Sequence, residues 1–111
     1  MAIQTVLDIR DLDGYDADRH RYEFVRRSYD NMTKHPSFAL SAGVKTAINF
    51  GAVTTAKYVC VVPEGAVEVY KNNSPESWEA GSVFLAIGCE IVALSLEAED
   101  ATTCWILIAG D

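Results

Sequence analysis

Two histidines, three cysteines and a set of glutamates are the side chains in this 111-residue sequence that could carry chemistry. Nucleophilic catalysis asks for a Ser, Cys or Thr beside a base, most often histidine. His20 and His35 both lie ahead of the strand-rich part of the chain, and no Gly-x-Ser-x-Gly elbow accompanies them. His20 could pair with Asp16 or Glu23 if that stretch were helical, but a solvated or capping histidine is the simpler account. Cys60, Cys89 and Cys104 stand 29 and 15 residues apart, each in an apolar run, a spacing that suits neither a redox CxxC nor a zinc site. Three buried free thiols are expected, with one cross-strand disulfide as the rival reading. Glu64, Glu68, Glu76 and Glu79 could meet in space as a glycosidase pair, although their loop and turn positions suit solvated charges better. The isolated glycines form no phosphate cradle. The expectation is a chain that is not an enzyme and uses no cofactor and no metal.

The charged residues say more. All five arginines, Arg10, Arg19, Arg21, Arg26 and Arg27, fall in the first 27 residues. Asp8, Asp11, Asp13, Asp16, Asp18, Glu23 and Asp30 interleave with them, so residues 1–36 hold six basic and seven acidic side chains. Residues 37–111 hold three basic and nine acidic ones, a net charge of −6. Nucleic acid is bound by neutralising phosphates with Lys and Arg, and this balance speaks against it. No run approaches the eighteen apolar residues of a membrane helix, and the N-terminus lacks the pattern of a secretory signal. The expected partner is therefore a protein surface, not nucleic acid and not a membrane.

The elements that must position these groups are strands. Val44–Phe50, Lys57–Val62, Ala66–Tyr70, Ser82–Ile87, Ile91–Leu96 and Thr102–Ile108 are short runs rich in β-branched and aromatic residues. Gly, Pro, Asn and Asp punctuate them, as in Pro63-Glu64-Gly65, Asn72–Pro75 and Gly88. The rhythm predicts an all-β body over residues 37–111, an antiparallel β-sandwich or jelly-roll-like small barrel of about 6–8 strands. SVFLAI and CWILI are almost continuously apolar, which implies cover on both faces by a second sheet, the front segment or a partner chain. Trp105 is expected in the core.

Residues 1–36 form a charged contact segment, an extended or partly helical arm. Tyr22, Val25, Tyr29 and Met32 make a helical stripe, which the sequence slightly favours. His20, Tyr22 and Phe24 alternate with Arg19, Arg21 and Glu23 as a strand would. Aromatic and arginine side chains are enriched where proteins meet, so Arg10, Tyr15, Arg19, Arg21, Tyr22, Arg26, Arg27 and Tyr29 are the candidate partner contacts. The rival reading packs this stripe on the chain's own sheet. Trp78, in the turn-rich stretch Asn72–Gly81, is a candidate exposed platform; packing across the end of the sandwich is its rival.

Cupins share this strand rhythm, but their closely spaced histidine ligands have no match here. The run EAGSVFLAIGCEIVALSLEAEDATTCWILIAGD, residues 79–111, resembles the C-terminal hairpins of small β-sandwich virion proteins of tailed bacteriophages. Its elements are an apolar strand (Val83–Ile87), a Gly88 turn, an I-x-x-L-x-L strand (Ile91–Leu96), a polar turn and a last apolar strand ending in Ala109-Gly110. The resemblance implies a capsid decoration or cement protein, or else a tail or fibre component. It further implies a homo-oligomer that binds the major capsid protein or another virion protein and resides in the virion after synthesis in the host cytoplasm. The runner-up function is a small-molecule or carbohydrate-binding domain, cupin-like or lectin-like, with Trp78 and Tyr70 as platforms.

Overall fold

The computed structural model describes residues 2–10 and 19–111, with side chains described for residues 2–7 and 27–111. Ten strands follow one another: β1 (Ala2–Arg10), β2 (Arg19–Ser28), β3 (Asn31–Leu40), β4 (Thr46–Ala47), β5 (Ala56–Pro63), β6 (Val67–Lys71), β7 (Ser77–Ala80), β8 (Phe84–Ile91), β9 (Leu94–Glu97) and β10 (Thr102–Gly110). The last eight make two four-stranded antiparallel sheets, in the orders β3-β10-β5-β8 and β4-β9-β6-β7. Strand β3 pairs with β10, β4 with β9, β5 with β8 and β6 with β7, so the chain is a long hairpin rolled into nested pairs. That is the double-sheet jelly roll.

Alternation along each strand builds the core. Val59 and Val61 from β5, Val67 and Val69 from β6, Leu94 and Leu96 from β9, and Cys104, Ile106 and Ile108 from β10 are at most 2% exposed and pack between the sheets. Removing such side chains from water supplies the main driving force for closing the two sheets. The intervening residues of β5 and β10 point away from this core, yet they are apolar as well. Tyr58, Leu107 and Ala109 are buried in a second cluster on the outer face of the β3-β10-β5-β8 sheet, with Ile3, Tyr29, Met32, Cys60, Leu85, Ile87 and Trp105 packed against them. The continuous apolar runs thus mark a sheet with apolar side chains on both faces. Trp105 belongs to the outer cluster and is half-buried, not in the sandwich core as its sequence neighbours suggested.

The front of the chain departs from the helical reading. Residues 19–28 are strand β2, paired antiparallel with β1 in a two-stranded ribbon, the extended form that the period-two alternation anticipates. Strand β3 crosses the boundary placed at residue 36 and pairs along β10 from Asn31 to Leu40, so the sandwich takes in residues from Asn31 onward. Pro36 lies where the register shifts between Cys104 and Ile106, on an edge strand where a missing N–H is tolerated. Gly88, read as a turn, lies inside β8; its φ of 72° falls where the β5 to β8 register shifts opposite Lys57. The Val44–Phe50 run shortens to β4, and β7 arises within the stretch read as turn.

Candidate functional site

Three surfaces hold the side chains singled out above. The first is the β1–β2 ribbon. Its register sets Arg10 opposite Arg19, Arg21 opposite Asp8, Tyr22 opposite Leu7 and Arg27 opposite Ile3, with an irregularity between Ile3 and Thr5. Tyr15 lies outside the described residues, as do the side chains of Arg10, Arg19, Arg21, Tyr22 and Arg26. Arg27 is exposed. Tyr29 is half-buried, its ring tilted 54° to Tyr58 with centroids 6.1 Å apart. The Thr5 hydroxyl lies 3.0 Å from the Tyr58 hydroxyl. Burial raises the pKa of both tyrosines above the usual 10.0. Ile3, Thr5 and Tyr29 therefore anchor the root of the ribbon to the outer sheet face. Arg27, Tyr29, Asp30, Lys57 and Asp111 line a hollow of about 420 Å³ at that root.

The second surface is the outer face of the β4-β9-β6-β7 sheet. Glu68 on β6 stands directly opposite Glu79 on β7 and, on its other side, opposite Glu97 on β9. Like charges in direct cross-strand register oppose folding. Glu68, Glu79, Glu97 and Glu99 line a hollow of about 490 Å³. The Tyr70 hydroxyl donates to Glu68 Oε2 at 3.0 Å and lies 3.5 Å from Glu97 Oε2. That hydrogen bond to a carboxylate is the main cause of a raised Tyr70 pKa, with desolvation and the charges of Glu68 and Glu97 adding to it. Lys45 sets its ammonium 3.9 Å from the Tyr70 ring centroid, within cation–π range. Of the four glutamates considered as a possible pair, Glu68 and Glu79 do meet, while Glu64 and Glu76 are not among the residues lining this hollow. Glu97 and Glu99 were missed. Glu97 shares with Glu68 and Glu79 an apolar-Glu-apolar setting, V-E-V, W-E-A and L-E-A, whereas Glu99, between Ala98 and Asp100, carries no such signal.

The third is Trp78 on β7, 59% exposed, with the Lys71 ammonium 5.1 Å from its ring centroid. It does not pack across the end of the sandwich.

The nucleophile and base candidates are scattered. His35 lies on β3, where Nε2 donates to the Asn49 carbonyl at 2.8 Å and the ring meets Phe38 edge-on. Cys60, Cys89 and Cys104 are free thiols, each with its pKa raised above 9.0 chiefly by burial. Thiols held in the protonated form are poor nucleophiles. Among the described residues, no group of three His, Cys, Asp or Glu side chains is placed to hold a metal ion, and no helix is long and apolar enough to cross a membrane. By strand order the chain is a jelly-roll β-sandwich carrying a β-ribbon. Comparison with protein-family models, with curated proteins and with solved structures found no match.

Proposed function

We propose that this chain is a structural protein of a phage virion, a decoration or cement protein that grips the head surface through its β1–β2 ribbon. The observation that carries the reading is that, among the described residues, β1 and β2 pair with each other and with no further strand, while the other eight strands form the two sheets of the body. A two-stranded ribbon in water is marginal on its own, and three or more strands or a packing surface are needed for independent stability. This one is anchored at its root by Ile3, Thr5 and Tyr29, and its far part carries arginines and carboxylates in close alternation. A charged, repeating protein surface would supply the missing cover through arginine–carboxylate pairs, and many weak contacts on one lattice would add to firm retention. The resemblance of residues 79–111 to phage virion proteins supports the same reading. Jelly rolls serve viral capsids, lectins and cupins alike, so the fold itself does not choose among them.

The test keeps the chain whole. Arg19, Arg21 and Arg27 are replaced together by Glu, and binding to capsids of the phage that carries the gene is measured by cosedimentation. Loss of binding with an unchanged β circular dichroism signal is expected. Binding equal to the unaltered chain would remove the ribbon from the contact.

One observation favours a second reading, binding of a carbohydrate or small molecule: the exposed indole of Trp78 offers a stacking platform. Tyr70, its proposed companion, has an ammonium over its ring. Saccharide-dependent quenching of tryptophan fluorescence, lost in Trp78→Ala, is what this reading requires.

A further inference from the structure

We propose that the outer face of the β3-β10-β5-β8 sheet is the surface on which two copies of this chain pair. One end of this face is already covered by Ile3 and Tyr29. Toward the other end Trp105, Cys60 and Leu85 remain half-buried, and Val62, directly opposite Trp105 in the register, is 42% exposed. On β1, Leu7 is 40% exposed. Leu7 has the same strand parity as Thr5, which still reaches Tyr58, so β1 has left the sheet by that point. This end of an apolar sheet face stands without cover, an arrangement that marks an interaction surface.

Charge decides the occupant. The body carries nine acidic and three basic residues from 37 onward, and its opposite sheet face bears the row of Glu79, Glu68 and Glu97. Two copies meeting through that face would repel. Among the described residues, the charged side chains on the β3-β10-β5-β8 outer face and its rim include Lys34, opposite Leu107, and the 3.3 Å Lys57–Glu90 pair, whose charges cancel. A basic partner would be drawn to the glutamates, whereas a neutral face is what an acidic chain needs in order to meet itself.

Shape agrees. A two-fold contact must be self-complementary, and two pleated apolar sheets satisfy this by stacking about 10 Å apart. Four strands at about 4.8 Å spacing and about eight residues of length give a plane of roughly 500 Å², one end of which Ile3 and Tyr29 occupy. The contact therefore falls in the small, reversible class that buries less than about 1,200 Å² in all. The proposal rests on this face alone and stands whatever the arginines of the ribbon bind.

Sedimentation equilibrium of the full chain tests it. The expected mass is twice the 12.2 kDa of one chain. Val62→Glu, made at an exposed position that a monomer tolerates, should raise the dissociation constant about a hundredfold or more by placing an unpaired carboxylate in the contact. Alkylation of Cys60, followed by peptide mapping, should slow as the concentration of the unaltered chain rises and stay constant in Val62→Glu. A single-chain mass at every concentration up to about 100 µM would overturn the proposal. So would a Val62→Glu pair as tight as the original, or Cys60 reactivity independent of concentration.

Discussion

Neutralising the middle of the glutamate row should stabilise the fold, and the gain should fade with salt in a calculable way. Glu68 faces Glu79 and Glu97 across two strand pairings, and one phenol reaches toward both Glu68 and Glu97. At about 6 Å in a water-like dielectric, two unit charges repel by about 0.7 kcal/mol before screening. A Debye length of about 8 Å at physiological salt halves that, so two pairs cost about 0.7 kcal/mol together. With a Debye length of about 30 Å at 0.01 M the pairs cost about 1.1 kcal/mol, and at about 3 Å in 1 M salt about 0.2 kcal/mol. Glu68→Gln removes both repulsions but weakens the Tyr70 hydrogen bond, so the substitution is made both in the parent and in Tyr70→Phe, where the full gain should appear. Glu79→Gln relieves one pair and should give about half as much. Urea unfolding followed by circular dichroism at the three salt concentrations measures each value. A destabilisation by Glu68→Gln in the Tyr70→Phe background, or a gain that does not shrink with salt, would refute the reasoning and point to a compensating cation held by the row.

Gly110 packs so closely on β5 that an added Cβ would run into the Thr55 carbonyl, with Lys57 N at 2.9 Å and Ala56 Cα at 3.0 Å, all backbone. Gly110→Ala should therefore cost about 3 kcal/mol or more in the same urea assay, and a loss below about 1 kcal/mol would contradict that packing. Stability should also fall on the alkaline side. The folded chain holds the protons of Cys60, Cys89, Cys104 and Tyr58 more tightly than the unfolded chain, because burial raises each pKa. That contribution is complete below the ordinary thiol value of 9.0 and is lost as pH climbs through it and then through the ordinary tyrosine value of 10.0. Unfolding midpoints unchanged between about pH 8 and about pH 11 would contradict the burial of these groups.

The jelly roll was legible in the sequence to the extent that its strands alternate cleanly. Lys57–Val62, Ala66–Tyr70 and Thr102–Ile108 fall within a residue or two of β5, β6 and β10, because period-two valines and isoleucines leave no other low-energy arrangement. Strand β3 was hidden by its composition. NMTKHPSFAL mixes polar residues with a proline, and only its place beside β10 makes it a strand. Gly88 looked like a turn because a positive φ suits turns and bulges equally. The stripe from Tyr22 to Met32 fitted two periods at once, and the strand won through cross-strand pairing with β1, which no local pattern encodes. Trp105 was assigned to the core because burial on one face of a sheet looks the same in sequence as burial on the other. The glutamate row was invisible for a related reason: Glu68, Glu79 and Glu97 lie in separate strands, and the register that aligns them is a property of the rolled sheet.

The central claim is that the jelly-roll body rides on a repeating protein surface gripped by the β1–β2 ribbon. The number of copies retained per capsid, measured by cosedimentation across a concentration series, tests it directly. The account predicts saturation at a fixed, whole-number ratio to the capsid subunits, with saturation lost when Arg19, Arg21 and Arg27 are replaced by Glu. Absence of binding, or uptake that rises in proportion to concentration without a plateau, would contradict it.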